Sequence, residues 1–382
     1  MSFDNFLTEE QQQWRDTCHR VMDKEITREY IRECDMNRQY YYEGFEKLHQ
    51  LGMVTMLIPE ELGGMGADTM AYTLFCEAAG KYSMDFGGAI GVSQFTAQNL
   101  IHYGTPEQQE KFLQPFIEGK NRFAISISEP HSGSDAAAAN TRAVKAGDHY
   151  VLNGLKQWCS GSSATNAVIC MLVRTDPDAP KRQGLSVLLI PNDTPGMELR
   201  KLKTLARRGT GTNQIFLDGA KVPVENRLGE EGQGWEIITN HLQLERVSIA
   251  ASYVGCAQQA VDDALAYAHQ REAFGQPIFK FQVLRHRLAD MQTEVDAARL
   301  LTYRSAAMID AGQDALREVS MAKLLASETL QKVTRQGIQI MGGHGMLPEA
   351  DMERYFREGM QATVGGGTSQ IQRTIIAQTM QY

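Results

Sequence analysis

Paired cysteines are missing from the sequence, although six cysteines are spread over its 382 residues. The sequence contains neither a CxxC pair nor a histidine placed at zinc-finger spacing from a cysteine. Scattered thiols of this kind are typical of a protein from a reducing compartment, and they argue against a disulfide framework or a structural metal site. The six are Cys18, Cys34, Cys76, Cys159, Cys170 and Cys256.

Long hydrophobic runs and an excess of positive charge are also absent. No apolar run reaches the roughly 20 residues that a membrane-spanning helix needs. The first residues, MSFDNFLTEEQQQ, lack the basic and apolar segments of a signal or transit peptide. The formal net charge of -8 does not suit extensive nucleic-acid binding. We therefore expect a cytoplasmic protein that binds no metal or nucleic acid and does not insert into a membrane.

The sequence does contain an ordinary globular balance, with 42% hydrophobic and 22% charged residues. Its length suits two or three domains. Three zones differ in their apolar spacing, which is helical, then strand-like, then helical again. We predict an α+β, mostly α protein with an N-terminal helical domain (1–120), a middle antiparallel β domain (121–230) and a C-terminal four-helix bundle (231–382).

Local signals place the elements within these zones. Capping boxes at Thr8 and Thr105 predict helix starts. Long helical patterns cover about 235–270, 280–311, 315–341 and 369–380. Strands are predicted for RFAISIS, HYVLNGLKQW, NAVICMLVRT, GLSVLLIP and NQIFLDGAKV.

Two stretches of the middle zone could hold a polar or aromatic ligand. Trp158 lies in GLKQWCSGSS, where it could flank a flat conjugated ring with Ser160 as a hydrogen-bond donor. A large core residue is the alternative interpretation of Trp158. The turn SEPHSGSD (128–135) offers hydroxyls and backbone N–H groups to a ring edge or a phosphate. Most turns of this composition are only turns.

Glu245 is the candidate acid–base residue of the C-terminal zone. It lies in LQLERVSIAAS, a helical stretch with a strongly apolar face. One interpretation is a surface ion pair with the adjacent Arg246. The other is a buried general base, because desolvation makes a carboxylate a better proton acceptor.

Further candidate ligand contacts lie at helix ends in the C-terminal zone. In REAFGQPIFKFQ, Arg271 could reach a phosphate, Phe274 could pack on a ring and Gln282 could hydrogen-bond a ligand. The paired glycines of QIMGGHGM permit close backbone approach. In VGGGTSQIQ, Thr368 can cap a terminal helix whose first turn has free N–H groups.

Taken together, these motifs resemble the acyl-CoA dehydrogenase family. SEPHSGSD, GLKQWCSG, LERVSIAAS, REAFGQPI, QIMGGHGM and GTSQIQRTIIA occur in the order and spacing of that family. The resemblance covers essentially the whole chain. It implies that FAD binds between the β domain and the C-terminal helices, in a homotetramer whose neighbouring subunit completes each site.

The resemblance also implies site residues. Expected FAD contacts are Ile127, Ser128, Trp158, Ser160, Arg271, Phe274, Gln282, Gln339, Gly343, Thr368 and Gln370, with Gln339 and Gly343 supplied by the neighbouring subunit. Expected substrate contacts are Ser134, Gln243, Arg246, Gly365 and Gly366. Gln243 departs from the family, where an Asp is common.

The chemistry that the resemblance implies is α,β-dehydrogenation of an acyl-CoA thioester. A carboxylate removes the α proton while a hydride leaves the β carbon for flavin N5, and the electrons pass to an electron-transfer flavoprotein. Many members carry this base in the pattern Tyr-Glu-Gly-Thr, but Gly366 stands at its position here. A minority, typified by isovaleryl-CoA dehydrogenase, place it in a Leu-Glu-Arg motif, which Leu244, Glu245 and Arg246 match. We therefore predict that Glu245 is the general base.

Three further features of the sequence concern the acyl group, the direction of the reaction and the class of protein. Gly365 and Gly366 lack the bulk of Tyr and Glu, which predicts room for a short, branched, cyclic or polar acyl group. A resemblance to the crotonobetainyl-CoA reductase group makes reduction of an enoyl-CoA the alternative direction. A scaffold that binds flavin or acyl-CoA without catalysis is the alternative of another class.

Overall fold

Helices occupy both ends of the chain and a sheet occupies its middle in the computed structural model, which describes residues 6–240 and 242–380. The helices are α1 (Glu9–Glu25), α2 (Arg28–Asn37), α3 (Tyr42–Gln50), α4 (Thr69–Gly80), α5 (Met84–Tyr103), α6 (Pro106–Gln108), α7 (Gln114–Ile117), α8 (Gly234–Asn240), α9 (Leu242–Gln270), α10 (Gln282–Asp310), α11 (Leu316–Met341), α12 (Met352–Ala362) and α13 (Ser369–Gln378). The strands are β1 (Arg122–Ser126), β2 (Arg142–Ala146), β3 (His149–Ser160), β4 (Ala167–Arg174), β5 (Leu185–Pro191), β6 (Met197–Leu202), β7 (Thr212–Pro223), β8 (Arg227–Leu228), β9 (Glu272–Ala273) and β10 (Gln276–Pro277).

Contacts divide the chain into two compact units. The first comprises Met1–Met36, Asp68–Gly88 and Gln243–Tyr382, and the second comprises Asn37–Ala67 and Ala89–Leu242. The predicted three-domain division is a different partition and stays a prediction. Across the described ranges, none of the helices is long and apolar enough to cross a membrane. The first five residues of the N-terminus that we predicted to carry no leader lie outside the described residues.

The sheet of the second unit contains all five strands predicted from the sequence. Its order is β6-β7-β3-β2-β4-β5-β8, and β1 pairs with β4. Antiparallel ladders dominate, but β1 runs parallel to β4, which the strand pattern alone does not reveal. Every residue of β4 is buried, which agrees with its unbroken apolar run. The sequence prediction missed β2 and β6, because four of the five β2 residues and three of the six β6 residues are exposed, so neither strand has a buried apolar run.

His49, near the end of α3, is a histidine without a hydrogen-bond partner in the second unit. Its ring packs edge-on against Phe116, with the ring centroids 5.5 Å apart. Neither ring nitrogen, both of them buried, meets a partner within the described ranges. Burial, and then the nearby charge of Arg122, lower the pKa of His49 to about 4. The neutral imidazole is therefore the form that fits the fold.

This histidine should make the protein sensitive to acid. The unfolded chain binds more protons at His49 between its ordinary pKa of 6.5 and the folded value of about 4. The stability is full above that window and is lost as the pH falls through it. Between pH 7 and pH 5, the free energy of unfolding of the wild type should fall by about 2 kcal/mol more than that of H49F, at about 1.4 kcal/mol per pKa unit. Urea unfolding at both pH values measures this, with the exposed His286→Gln as control. Parallel losses in H49F and wild type would contradict it.

The first unit brings the long C-terminal helices together with α1, α2 and α4. Glycines set the distance between α4 and α9, because a Cβ on Gly255 would overlap the carbonyl oxygen of Glu77. A Cβ on Gly80 would likewise overlap that of Ser252. The central part of α9 is buried by this packing, and the first turn of α9 carries Glu245. Capping boxes begin both α1 and α6, as predicted.

Helix α12 was not predicted, because its buried face carries charged residues. Arg354, Arg357 and Glu358 are all buried. Arg357 donates to Asp35 at 2.6 Å, and Arg354 donates to Asp351 at 3.0 Å. Tertiary partners make this burial possible, since an unpaired charge would be excluded from the interior. A sequence pattern cannot show those partners.

Candidate active site

A buried ion pair anchors the turn SEPHSGSD to the end of β3 in the second unit. Lys156 Nζ lies 2.8 Å from Glu129 Oε1 and donates to the carbonyl of Ile127 at 3.1 Å. The Glu129 carboxylate also accepts the backbone N–H groups of Asn140 and Thr141, at 2.7 and 2.9 Å. Although burial acts to raise it, the charge of Lys156 and these hydrogen bonds hold the pKa of Glu129 below its usual range. The pair is therefore ionised and fixes the path of the turn.

The anchored turn lies beside the predicted flavin contacts of β3. Gln157 donates its backbone N–H to the carbonyl of Ser128 at 2.9 Å, which places Ser128 next to Trp158. Trp158 has a φ of +64° and is 55% exposed. This exposure excludes the interpretation of Trp158 as a core residue. Ser160, at the end of β3, is half-buried, and its Oγ lies 3.2 Å from the Oγ1 of Thr212. Ser134, in the turn SEPHSGSD, is exposed.

Removing Lys156 should loosen this half of the site. K156M would leave Glu129 as an unpaired buried carboxylate, so we expect a loss of about 3–5 kcal/mol in the free energy of unfolding. FAD should also be retained less well on gel filtration. The double variant E129Q/K156M removes both charges and should recover part of the stability. Additive losses in the double variant would contradict a mutual role for the pair.

In the first unit, Glu245 lies half-buried in the first turn of α9, next to the buried Arg246. Arg246 Nε is buried and meets no hydrogen-bond partner among residues 6–240 and 242–380. Burial lowers the pKa of Arg246, while the charge of Glu245 acts to raise it. The half-buried position of Glu245 leaves its side chain partly accessible. Gln243, also half-buried, precedes it in the same turn.

The loop VGGGT is held by two buried side chains that sequence reasoning did not identify. Lys323 of α11 donates to the carbonyls of Ala362 and Gly367, at 3.0 and 2.7 Å. Gln372 of α13 donates to those of Gly366 and Gly367, at 3.1 and 3.2 Å. A lone lysine within the small and apolar residues of MAKLLAS was the available signal for Lys323. Together the two side chains fix the backbone of the loop.

The loop and the helix of Glu245 meet at one point. Gly366 has a φ of +64°, and a Cβ placed there would lie 2.5 Å from Ile249 Cδ1 and 3.8 Å from Lys323 Cε. Ile249 follows Glu245 by one helical turn, so both side chains lie on the same face of α9. The structure therefore places Gly366, predicted to stand at the usual base position, against the face of α9 that carries Glu245.

Electrostatics couple Lys323 to Glu245. Burial lowers the pKa of Lys323 to about 8, and the charge of Arg246 acts in the same direction. Glu245 and Glu328 act in the opposite direction. The charge of Glu245 therefore favours the ammonium form of Lys323.

The other predicted FAD contacts of the first unit lie at its surface. Phe274, between β9 and β10, is 94% exposed and has a φ of +53°. Thr368 Oγ1 accepts the backbone N–H of Ile371 at 3.2 Å and so caps α13. Ile127 is half-buried in the second unit. The remaining exposed residues of this set are Arg271, Gln282, Gln339, Gly343 and Gln370.

These residues fit a flavin nucleotide. Large aromatic residues are seldom found with a left-handed backbone, and seldom with an exposed side chain. Trp158 and Phe274 each have both properties. In the second unit a conjugated ring could cover Trp158, and the hydroxyls of Ser128 and Ser160 could bond its polar edge. In the first unit Phe274 could pack on a ring, and the guanidinium of Arg271 would suit phosphates.

Comparison with known families matches the chain along almost all of its length. The acyl-CoA dehydrogenase N-terminal domain matches residues 8–120, the middle domain matches 124–220 and the C-terminal domain matches 232–381. The chain therefore belongs to the acyl-CoA dehydrogenase family. It is an oxidoreductase of a family that depends on FAD and whose members are typically homotetramers.

Individual relatives agree with this assignment. The probable acyl-CoA dehydrogenase YngJ of Bacillus subtilis is 36% identical over 379 residues, which cover 98% of each chain. The caffeyl-CoA reductase-Etf complex subunit CarC of Acetobacterium woodii is 33% identical, covering 97% of this chain and 98% of its own. Butyryl-CoA dehydrogenase from Megasphaera elsdenii has the same fold, with a TM-score of 0.92, 30% identity and 100% of each chain covered.

Proposed function

We propose that the protein dehydrogenates a short, branched, cyclic or polar acyl-CoA between its α and β carbons, with Glu245 as the general base. The observation that carries the proposal is the contact between Gly366 and Ile249. A Cβ at Gly366 would lie 2.5 Å from Ile249 Cδ1, on the helix face that carries Glu245, and this supports a base supplied from α9. After Gly366, the next polar side chain of the described loop residues is that of Thr368. The Thr368 hydroxyl caps α13 and is not a carboxylate, so it does not replace the base.

Each residue of the site has a defined task in this proposal. FAD, when bound, supplies the electron acceptor. The Glu245 carboxylate takes the α proton. Lys323 fixes the backbone of the loop beside the substrate. The ion pair of Lys156 and Glu129 holds the turn whose Ser128 contacts the flavin.

Features of the site and the names of the relatives support a substrate class and a set of partners. Gln243, Arg246 and Ser134 would contact the coenzyme A arm, and Gly365 and Gly366 would face the acyl group. A butyryl-CoA dehydrogenase shares the fold, which supports a short acyl chain. The relative named as part of a reductase-Etf complex supports an electron-transfer flavoprotein as the partner. We propose a cytoplasmic homotetramer.

The direct test is anaerobic mixing of the FAD-loaded protein with straight, branched, aromatic and betaine-type acyl-CoA thioesters. At least one should bleach the flavin absorbance, because electrons leave the substrate for the flavin. Full retention of the absorbance with every thioester would leave the non-catalytic scaffold as the better account.

Reduction of an enoyl-CoA is the second candidate, favoured by the name of the caffeyl-CoA reductase relative. The same base and flavin serve both directions, and the potential of the electron partner decides between them. Dithionite-reduced protein mixed anaerobically with crotonobetainyl-CoA or an aryl-acrylyl-CoA should regain its flavin absorbance rapidly if the active site accepts these enoyl-CoA thioesters as oxidants. Faster reduction by the saturated thioester than reoxidation by the enoyl form would favour dehydrogenation.

A further inference from the structure

Gln361, at the end of α12, occupies the space beside the first glycine of the loop. A Cβ on Gly365 would overlap the amide nitrogen of Gln361. The carboxamide of Gln361, four residues earlier in the chain, therefore occupies part of the space that a side chain at position 365 would fill. Ile249 occupies the corresponding space at Gly366. The wall beside Glu245 is therefore apolar at one glycine and polar at the other.

The amide of Gln361 has no structural partner. Its Oε1 is buried, and no hydrogen bond of either side-chain polar atom occurs within the part of the chain that the structure describes. The backbone of the same residue is fully used, since its carbonyl accepts the N–H groups of Val364 and Gly365 at 2.9 and 3.1 Å. A buried polar atom left without a partner destabilises the folded chain. A leucine or methionine would fill the same space without that cost.

The position of Gln361 relates it to the reacting end of the substrate. Gly365 adjoins Gly366, and Gly366 contacts Ile249, which follows Glu245 by one turn of α9. Lys323 and Gln372 hold the intervening backbone. An acyl group whose α carbon meets Glu245 would therefore extend past a wall formed in part by Gln361.

We propose that Gln361 is a specificity-determining residue that hydrogen-bonds an oxygen on the acyl group. The substrate class is an acyl-CoA whose acyl chain carries a hydroxyl or carboxylate oxygen beyond the β carbon. A carboxamide can donate through its nitrogen or, after turning, accept through its oxygen, so it suits either group. This inference rests on the proposed function and adds the substrate class to it.

The test compares thioesters of matched shape, with and without the oxygenated group. 4-Hydroxybutyryl-CoA is paired with pentanoyl-CoA, and glutaryl-CoA is paired with 5-methylhexanoyl-CoA. Anaerobic flavin reduction is measured for wild type and Q361M, whose side chain has a similar size but cannot make the hydrogen bond. In wild type, at least one oxygenated thioester should be preferred over its partner by about tenfold in rate over dissociation constant, the ratio that corresponds to one hydrogen bond. The preferred pair identifies the oxygen as hydroxyl or carboxylate.

In Q361M that preference should fall to about one, while reduction by the apolar partner stays unchanged or becomes faster. Q361L provides a second variant if Q361M does not fold, and Q331M is the control, because the Gln331 amide contacts Met360 instead of the glycines. Equal use of both members of each pair by wild type would overturn the inference, as would a preference that survives in Q361M and Q361L. Loss of flavin reduction with all four thioesters would instead count against the proposed function.

Discussion

E245Q should bind FAD like the wild type but fail to reduce it with acyl-CoA. Gln has nearly the same shape as Glu and cannot accept the α proton, so we expect reduction to slow by about 10²–10⁴-fold. The reduction of the flavin by dithionite should be unchanged, since it needs no base. Stopped-flow recording of the flavin absorbance after anaerobic mixing measures both reactions. The comparison separates loss of the base from loss of the cofactor.

E328Q is the matched control, because Glu328 is a second carboxylate that acts on Lys323 but pairs with Arg373 at 2.7 Å. We expect nearly wild-type flavin reduction in E328Q. Rapid bleaching in E245Q, at a rate comparable to wild type, would rule out Glu245 as the base. A large defect in both variants would point to the charge balance around Lys323 instead of proton abstraction.

Restoring a glutamate at the usual family position should not rescue E245Q. In E245Q/G366E, the new Cβ would lie 2.5 Å from Ile249 Cδ1, and the backbone would keep a φ of +64°. A non-glycine residue in that conformation costs about 1–3 kcal/mol before the clash is counted. We therefore expect a protein that unfolds at lower temperature and stays as inactive as E245Q. Thermal unfolding and flavin reduction are the two measurements.

The same reasoning predicts which further change could help. The triple variant E245Q/G366E/I249A removes the clash with Ile249, so it should be more stable than E245Q/G366E and could recover part of the flavin reduction. G366A/I249A is the control for backbone strain, because it adds a Cβ at position 366 where the clash with Ile249 has been removed. Wild-type activity in E245Q/G366E would show that Ile249 yields easily, which contradicts the close fit between Gly366 and α9.

Elements with a regular apolar pattern were predictable from the sequence. The strands β3, β4, β5 and β7 and the helices α10 and α11 lie close to their predicted positions. Helix α12 was missed because its buried arginines and Glu358 pair with distant residues, and β2 was missed because four of its five residues are exposed. In both cases the information lies in tertiary partners and not in the local pattern.

In the candidate site, too, some features could be predicted from the sequence and others depend on tertiary packing. The prediction of Glu245 as the base came from the loss at Gly366 and the Leu-Glu-Arg motif of the family, whereas the residues around Glu245 alone favoured a surface ion pair. The contacts of Ile249, Lys323 and Gln361 with the glycine loop depend on the packing of three helices, which sequence spacing cannot show. The left-handed backbone of Trp158 is likewise a property of the folded chain.

The most direct test of the central claim is the anaerobic reduction of wild-type flavin by a reactive acyl-CoA deuterated at its α or its β carbon. The account predicts that both deuterated substrates reduce the flavin more slowly than the protiated one, because Glu245 takes a proton from one carbon while the flavin accepts a hydride from the other. Flavin reduction that is insensitive to deuterium at the α carbon, under conditions where the β position shows an effect, would contradict proton abstraction by Glu245.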